Sequence, residues 1–517
     1  MKRSNSTFAY VMPLLVLCLF LTQQLWAQGY DTPLTFQGLS RTTNPSAVSR
    51  SAGGIMFGLQ SDASFMFTHP ASLMSVKGVQ FSIGGLQHSS YMKQDQRYSG
   101  LQGTSAFSPL VEGTTGSISD PDTNAYYNGV KVSLRTQADS VQRPFDSIGP
   151  NWNRSKSKSV PVQFFAAAPF SLGGVSMVGG VGAVEYANLG WYYQNNNCLS
   201  PQLLSVALIG TIGTSGLDKN PYAVQWYQYS QERDGSIMGY GGALSAAVTE
   251  KLSVGVSGMI LKGSTDDVEI RVGRGRMLFF TSSMRLDRPG TTSYTKKGTT
   301  DYSGMELTLS ADYRSQYFDV GFSIKPPTTI TRSFSYSLNQ DSVAVTKRNL
   351  SKQDSIHVTT STSFSGEDKM GLPWRGIGGI GLRLRDNLSF GITYEVRAYA
   401  SSEYTSPNGI VSTPWLSCSV LHVGGEYSAN SWLLIRGGVS NYAEVFQPVT
   451  AGIRGQSVTY PIYSLGAAIR VAGVTVNLAY EYADMKYVDT WVNAASITRE
   501  INNTIMASLT YELPWAK

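Results

Sequence analysis

The stretch that decides the fold is Leu252-Ser253-Val254-Gly255-Val256-Ser257-Gly258-Met259-Ile260. Apolar side chains return at every second position, and small or polar residues stand between most of them. A period of two belongs to a β-strand, where successive side chains point to opposite faces, and it excludes a helix here. We therefore predict that Val254, Val256 and Ile260 face outward and that Ser257 and Met259 face an interior.

The same alternation returns along the chain from Gly78 to Leu513. It is clear in residues 388–396 and 474–482, where Ser, Thr, Asn and Glu occupy the alternate positions. This pattern is typical of a transmembrane β-barrel, whose strands expose one face to lipid and the other to the lumen. The alternating runs number about fourteen, and single-chain bacterial barrels have even strand counts. The predicted fold is all-β, a transmembrane antiparallel β-barrel formed by residues 78–517.

Two kinds of connection separate the predicted strands. Short hinges fall at residues 171–173, 249–251, 314–316, 385–387, 428–431 and 471–473, and long polar segments at 92–158, 194–234, 273–301 and 337–371. Bacterial barrels have short periplasmic turns and longer extracellular loops. The long segments are therefore predicted to be extracellular loops, and both chain ends to be periplasmic.

The start of the chain has the form of a secretory signal. Lys2 and Arg3 precede an apolar stretch at residues 11–25, and Trp26-Ala27-Gln28 follows. This order predicts a signal peptide at residues 1–27 with cleavage after Ala27, so the mature protein leaves the cytoplasm. Later in the chain no run approaches the ~18 consecutive apolar residues of a spanning helix. The predicted location is the bacterial outer membrane.

Composition agrees with this class and excludes others. The 42% hydrophobic content suits a barrel in which half of each strand faces water. The formal charge of +6 is spread without a basic cluster, so no nucleic-acid partner is predicted. Cys198 and Cys418 are the only thiols after the predicted signal, either as a disulfide or as two isolated thiols.

No motif carries enzyme chemistry. Residues 376–381, Gly-Ile-Gly-Gly-Ile-Gly, match a dinucleotide fingerprint by letter, but they lie on an alternating strand with no following helix. The histidines His69, His88, His357 and His422 are not paired at metal-ligand spacing. His422 has no recognisable Ser and Asn partners of a hydrolase. We predict no enzyme activity, no cofactor and no metal.

Charged residues occur at strand positions that the alternation predicts to face the lumen. They are Asp312, Asp319, Arg383, Glu395, Arg397, Glu426, Arg436, Arg470, Glu481 and Glu512. A charge facing lipid at mid-membrane costs ~2–4 kcal/mol, so energetics agree with this parity. Charges of opposite sign can either pair and brace the barrel wall or take part in a conduit through the lumen.

Residues 28–77 do not alternate like barrel strands. A periplasmic segment before the first strand must either hang free or fold into the lumen as a plug, also called a hatch. Its large apolar residues Met56, Phe57, Phe65, Met66 and Phe67 favour burial. We predict an amino-terminal plug.

Three short motifs in this segment resemble one family. They are Ala52-Gly53-Gly54, Asp62-Ala63-Ser64 and His69-Pro70-Ala71-Ser72-Leu73. The sequence here resembles the FadL-type long-chain fatty acid transporters of bacterial outer membranes, which have a Gly-rich stretch, an Asp-containing turn and Asn-Pro-Ala-Gly-Leu before the first strand. His69 replaces the family's Asn, and Ser72 its Gly. The resemblance continues at residues 229–236 and 249–255, at the proline break in 320–330, and at Leu372-Pro373-Trp374.

The resemblance implies a plugged fourteen-stranded barrel that binds hydrophobic ligands and releases them sideways at a kink in strand three. The matching stretch here contains Gly179, Gly180 and Gly182. Glycine inside a strand weakens the ladder, although these can also be ordinary barrel glycines. Phe57, Phe65, Met66 and Phe67 are the candidate ligand contacts, with anchoring of the plug as the alternative.

The first functional hypothesis is passive uptake of hydrophobic molecules, either long-chain fatty acids or aromatic hydrocarbons. Its partners are those small molecules or lipids and the lipid of the outer membrane. The alternative is an accessory barrel that works with secretion-system proteins in protein secretion or surface attachment. An open hydrophilic porin is the third reading, and the plug argues against it.

Overall fold

The computed structural model describes residues 34–98, 126–127, 130–131, 151–196, 202–203, 222–279, 284–287, 293–345, 355–448, 455–491 and 494–514. The predicted signal peptide and Cys198 lie outside these ranges, so the cleavage site and the disulfide with Cys418 stay predictions. Within these ranges, no helix has both the length and the apolar character needed to span a membrane.

The described strands form a closed antiparallel barrel of 14 strands. In chain order they are β1 Val79–Tyr98, β2 Trp152–Leu172, β3 Val175–Asn188 with its continuation Trp191–Asn196, β4 Tyr222–Ala247, β5 Leu252–Phe279, β6 Ser293–Arg314, β7 Phe318–Lys325 with Thr328–Val345, β8 Ser355–Leu372 with Arg375–Arg385, β9 Leu388–Arg397 with Glu403–Thr405, β10 Cys418–Ser428, β11 Leu433–Ala443, β12 Thr459–Val471, β13 Val474–Trp491 and β14 Ala494–Leu513. Pairing of β1 with β14, from Val79↔Leu513 to Tyr98↔Ala494, closes the barrel. The predicted fold and strand count are confirmed.

Short extra strands accompany these. They are Gln202–Leu203, Met284–Asp287, Val411–Ser412 and the ribbon of Tyr126–Tyr127 with Val130–Lys131. The predicted proline break lies inside β7, because Pro326 and Pro327 have no N–H to donate to the ladder. Pro373 and Trp374 interrupt β8 at the neighbouring position, where Lys325 pairs with Arg375 and Thr328 with Leu372.

Side-chain parity follows the sequence prediction. Ile392 is 40% exposed on the outer face, whereas the next residue, Thr393, is 1% exposed and faces the lumen. On β5, Val254, Val256 and Ile260 are exposed and Met259 is buried. The outer face therefore carries the apolar band that a bilayer requires.

The six short hinges are confirmed, but the prediction that four long segments are loops is wrong in part. β1 reaches Tyr98, β5 reaches Phe279, and the paired parts of β7 and β8 reach Val345 and Ser355. The end of β8 is rich in Ser and Thr, and its residues 358–365 are exposed on both faces. Because water covers both faces there, no apolar alternation marks the strand, although the backbone ladder continues.

The amino-terminal segment contains short helical turns with local caps. Helix α1 is Ala47–Ser51, and 3-10 helices span Ala63–Phe67 and Pro70–Ser75. Outside this segment, a further 3-10 helix, Tyr399–Ser401, lies between the two parts of β9. The Ser46 hydroxyl accepts from Ser49 N at 3.3 Å and caps α1. Asp62 Oδ1 accepts from Ser64 N at 3.0 Å at the start of the second turn. Residues 34–77 thus fold locally, and their contacts with the wall are described below.

Candidate functional site

Glycines on the inner wall let the backbone of the amino-terminal segment approach closely. A Cβ placed on Gly438 would lie 2.6 Å from the Ala52 carbonyl carbon, and one on Gly381 would lie 2.1 Å from Gly58 N. Any larger residue would displace the segment, since real Cβ atoms essentially never come within 3.0 Å of another heavy atom. In the run 376–381, Gly379 and Gly381 therefore form a packing surface for Phe57 and Gly58 of the segment.

The motif residues that carry the family resemblance are contacts to this wall. His69 Nδ1 hydrogen-bonds Ser323 Oγ at 2.7 Å on β7, and His69 Nε2 lies 4.0 Å from Asp312 Oδ1 on β6. The N–H of Ala71 donates to Ser310 Oγ at 2.7 Å, and Pro70 opens the turn between these two anchors. Burial, with a smaller contribution from Arg314, lowers the pKa of His69 to about 3, so its ring is neutral at physiological pH.

The glycine pair at the start of the segment has a conformational role. Gly53 and Gly54 have φ of +74° and +83°, a region that L side chains rarely adopt. The Gly53 carbonyl accepts from His422 Nδ1 at 2.9 Å. His422 is thereby used as an anchor, and its Nε2 lies 3.9 Å from Glu395 Oε2.

The four candidate ligand contacts are all buried, but they lie in different places. Phe57 packs edge-on against His69, with ring centroids 5.0 Å apart, and Phe65 belongs to an apolar cluster with Ile55. Met66 and Phe67 pack against β3, where a Cβ on Gly180 would lie 2.9 Å from Met66 Cε. Likewise a Cβ on Gly182 would lie 3.1 Å from Phe67 Cε2. These glycines make room for the segment.

A cavity of about 360 Å³ lies in the lumen, with Met56, Phe67 and Thr68 of the segment in its lining. Of the four candidate contacts, Phe67 is part of this lining, whereas Phe57, Phe65 and Met66 are outside it. Its further apolar lining consists of Leu86, Met92, Val184, Trp191, Met259, Ile377 and Ile462. The cavity is thus within the ~300–1,000 Å³ range of small-molecule sites.

The charged lining of this cavity is mainly positive. The cations are Arg41, Arg50, Arg154, Lys156, Lys158, Lys325, Arg375 and Arg397, and the carboxylates are Glu185, Glu395, Glu481 and Glu500. Some pair within the wall, such as Arg397 Nε with Glu395 Oε1 at 2.8 Å. Two predicted lumen charges deeper in the wall, Arg436 and Glu426, also pair, at 2.7 Å. Bracing of the wall is therefore established for these pairs. The other lining cations also lie beside carboxylates, including Glu306, Glu444, Glu232 and Asp234 just outside the lining.

One seam of the barrel lacks a backbone ladder over part of its length. β2 and β3 pair from Leu172↔Val175 to Phe164↔Ala183, and the part of β2 before Phe164 pairs only with β1. Beyond Ala183, β4 is the only neighbouring barrel strand that pairs with β3. Both strands are described here, so the barrel wall has a lateral seam between β2 and β3, which we call the β2–β3 seam.

A bulge in β3 lies beside this seam. The register shifts between Glu185 and Ala187, so Tyr186 is the extra residue, and residues 184–187 are buried on both faces. Gly179, Gly180 and Gly182 lie before the bulge, in regular register with β2 and β4. Their predicted part in a kink remains a prediction.

Contacts of the Tyr186 side chain and of the β3 backbone hold the bulge inside the lumen. The Tyr186 hydroxyl donates to Glu306 Oε2 at 2.8 Å and accepts from Arg375 Nη1 at 3.3 Å. The N–H of Thr43 donates to the Tyr186 carbonyl at 2.8 Å, and Thr42 forms a β-bridge with Ala187. The amino-terminal segment therefore replaces β2 as the partner of β3 at this point.

The predictions from sequence did not include the roles of Tyr186 and of the cationic edge of the seam. Residues 154–158, Arg-Ser-Lys-Ser-Lys, have a cation at every second position, a period that is typical of a strand. They belong to the segment 92–158 that is predicted to be a loop. Tyr186 carries no such signal, because its partner Glu306 is 120 positions away in sequence. In the described part of the chain, no group of three or more His, Cys, Asp or Glu residues could hold a metal ion.

Comparison with solved structures identifies the fold class. A Pseudomonas aeruginosa FadL homologue has a TM-score of 0.57 and 14% identity, covering 94% of this chain and 100% of its own. The P. putida toluene transporter TodX has a TM-score of 0.51 and 11% identity, covering 91% and 99%. No protein-family model and no curated protein matches the sequence. The chain therefore has the FadL-type barrel fold, and the resemblance to the FadL-type family that its motifs indicated is confirmed at the level of the fold.

Proposed function

We propose that this protein is an outer-membrane channel that takes up hydrophobic molecules and releases them sideways through the β2–β3 seam. The observation that carries this proposal is the position of Lys158. Lys158 lines the lumen cavity and also a groove of about 780 Å³ that includes Met238 and the outward-facing Tyr240. Lys158 thus borders both the internal cavity and the outer groove, at the place where β2 has no ladder with β3.

The amino-terminal segment is proposed to be the plug that blocks a straight path through the barrel. Its support is the packing of Ala52 and Gly58 against wall glycines and the buried anchor at His69. With that path closed, a lateral exit is the remaining route for an apolar ligand. The proposed orientation places the short hinges and both chain ends in the periplasm.

The proposed ligand is an amphiphile with an apolar chain and an anionic head, of which a long-chain fatty acid is the simplest example. Eight Lys or Arg residues and four Glu residues line the cavity together with apolar side chains such as Phe67 and Met259. A carboxylate would form charge-assisted hydrogen bonds with these cations, which an aromatic hydrocarbon cannot do. TodX, described as a toluene transporter, shares the fold, so a neutral hydrocarbon is the competing ligand class in the test.

The test is direct binding of dodecanoate and of toluene to purified protein in nanodiscs, with two phenylalanine variants. Phe67→Ala removes a wall of the cavity and should weaken dodecanoate binding by about tenfold or more. Phe65→Ala is the matched control, because Phe65 is fully buried outside the cavity lining, and it should lower stability with a smaller effect on affinity. Tighter binding of toluene than of dodecanoate would refute the anionic ligand class.

Deletion of residues 34–77 tests the plug. The deletion should raise the conductance of the barrel in planar bilayers and weaken capture of dodecanoate. A folded deletion variant with unchanged conductance, together with a wild type that binds neither ligand, would overturn the transport proposal. That outcome would favour the accessory role in secretion or surface attachment.

A further inference from the structure

We propose that Arg154, Lys156 and Lys158 on β2 form an ionic latch with Glu232 and Asp234 on β4, and that a ligand carboxylate opens it by exchanging for these two acids. We call these five residues the seam latch. The inference rests on the proposed function in one respect, namely that the ligand carries an anionic head.

The seam latch is a ladder of side chains where the backbone ladder is missing. Arg154 Nη2 contacts Glu232 Oε1, and Lys156 Nζ lies 3.6 Å from both Glu232 Oε1 and Asp234 Oδ2. Lys158 Nζ lies 3.9 Å from Asp234 Oδ1. Because both sets recur at every second residue of a strand, the cations and the acids face each other in register.

Lys158 makes the innermost closure. Its Nζ donates to the Gly235 carbonyl at 2.9 Å and to Asn188 Oδ1 at 3.4 Å. At the other end of the latch, Arg154 stacks over the Tyr192 ring at 3.8 Å. β2 is thus joined to β3 and β4 by side chains alone along this part of the seam.

The latch lies at the border of the apolar band, where charges are tolerated. The outward-facing residues of β2 change from the apolar Phe164 to the polar Ser159 and Ser157. Opening the seam at this level would lead a ligand to the interface between head groups and acyl chains. The latch acids are well exposed, at 39% and 59% of their side chains. Pairs of this kind are individually weak and are screened by salt, so the latch can open without unfolding of the barrel.

The lumen cavity gives a ligand access to the latch cations. Arg154, Lys156 and Lys158 all line it. Among the described residues, Lys156 Nζ is buried without a hydrogen-bond partner, even though Glu232 and Asp234 are its ionic neighbours. A carboxylate arriving from the cavity would supply that hydrogen bond and compete with the two acids. Lys158, which also lines the outer groove, would then be the last cation that the head group meets.

The experiment measures opening of the seam independently of transport. A Val184→Cys reporter, in a background with Cys198→Ser and Cys418→Ser, places a thiol in the cavity lining beside the seam. Purified protein in nanodiscs is treated with a lipid-soluble maleimide, and the labelling rate is measured by mass spectrometry. Lys156→Gln with Lys158→Gln should raise the rate at least about fivefold, since three ion pairs of the latch are lost.

Matched controls separate the latch from general loosening. Lys93→Gln removes a lysine whose partner, Asp95, lies on the same strand at 2.7 Å, so it should leave the rate unchanged. Exchange of the charges, Arg154→Glu with Glu232→Arg, should restore slow labelling that Arg154→Glu alone abolishes. Raising NaCl from about 0.1 M to about 1 M shortens the screening length from ~10 Å to ~3 Å and should accelerate labelling in the wild type.

Ligand addition tests the carboxylate step. Dodecanoate should accelerate labelling of the wild type, whereas dodecanol, with the same chain and no charge, should not. If dodecanoate binds but leaves the rate unchanged, and the double glutamine variant also labels at the wild-type rate, the latch is overturned while the proposed function stands. If dodecanoate does not bind, the proposed function and its carboxylate trigger fail together, and faster labelling of the glutamine variant would still support the ionic closure.

Discussion

Replacement of His69 should release the proposed plug, because this side chain anchors the amino-terminal segment to the wall. His69 is fully buried, bonds Ser323 Oγ at 2.7 Å and packs edge-on against Phe57 at 5.0 Å. His69→Ala leaves a buried hydroxyl unpaired, at ~1–3 kcal/mol, and loses an aromatic contact of ~0.5–1.5 kcal/mol. A total of roughly 2–4 kcal/mol would lower the ratio of closed to open barrels by roughly 30-fold or more.

Acid should have a related effect through the same residue. The pKa of His69 is about 3 in the seated segment, against the ordinary histidine value of 6.5. A released segment therefore binds a proton that the seated segment cannot bind, and the closed state loses stability as pH falls below about 6.5. At pH 5 the loss is roughly 2 kcal/mol if His69 acts alone.

The assay is conductance of purified protein in planar bilayers at pH 7 and pH 5. The wild type should open more often at pH 5, and His69→Ala should be open at both values. His69→Asn carries the residue found in the family motif, cannot titrate, and should lose the acid response. Asp62 opposes the trend, since burial raises the pKa of its carboxyl and this favours the closed state in acid. An equal acid response in wild type and His69→Asn would refute the role assigned to His69.

Two further outcomes test the wall itself. Ile392→Asp should reduce barrel assembly, measured with a heat-modifiability gel, because it places a carboxylate against lipid. Ser440→Asp in the lumen lining should assemble normally, and equal yields of the two variants would contradict the assigned faces. Gly438→Ala should displace the segment and raise conductance, since its Cβ would lie 2.6 Å from the Ala52 carbonyl carbon. Gly437→Ala, whose Cβ would have its nearest contact at 3.4 Å, should behave like wild type. Similar conductance of the two variants would show that the close approach is unimportant.

The sequence by itself determined the barrel. Whether a strand residue faces lipid or the lumen depends on its own position, so the alternation through Ile392 and Thr393 was readable without any knowledge of partners. The short hinges were readable for the same reason, since each joins two strands that pair directly. The plug motif also consists of neighbouring residues, and Asp62 and Pro70 act within their own turns.

The tertiary structure alone decided the ends of the polar strands, the bulge and the seam. Residues 358–365 meet water on both faces, so only their ladder with β7 makes them a strand. Tyr186 turns inward because its hydroxyl donates to Glu306 and its carbonyl accepts from the N–H of Thr43, and both partners are far from it in sequence. The cations at 154–158 acquire a role only where β2 loses its ladder to β3 and meets the acids of β4. Such features depend on contacts between residues that are distant in sequence, and a local pattern of residues cannot predict those contacts.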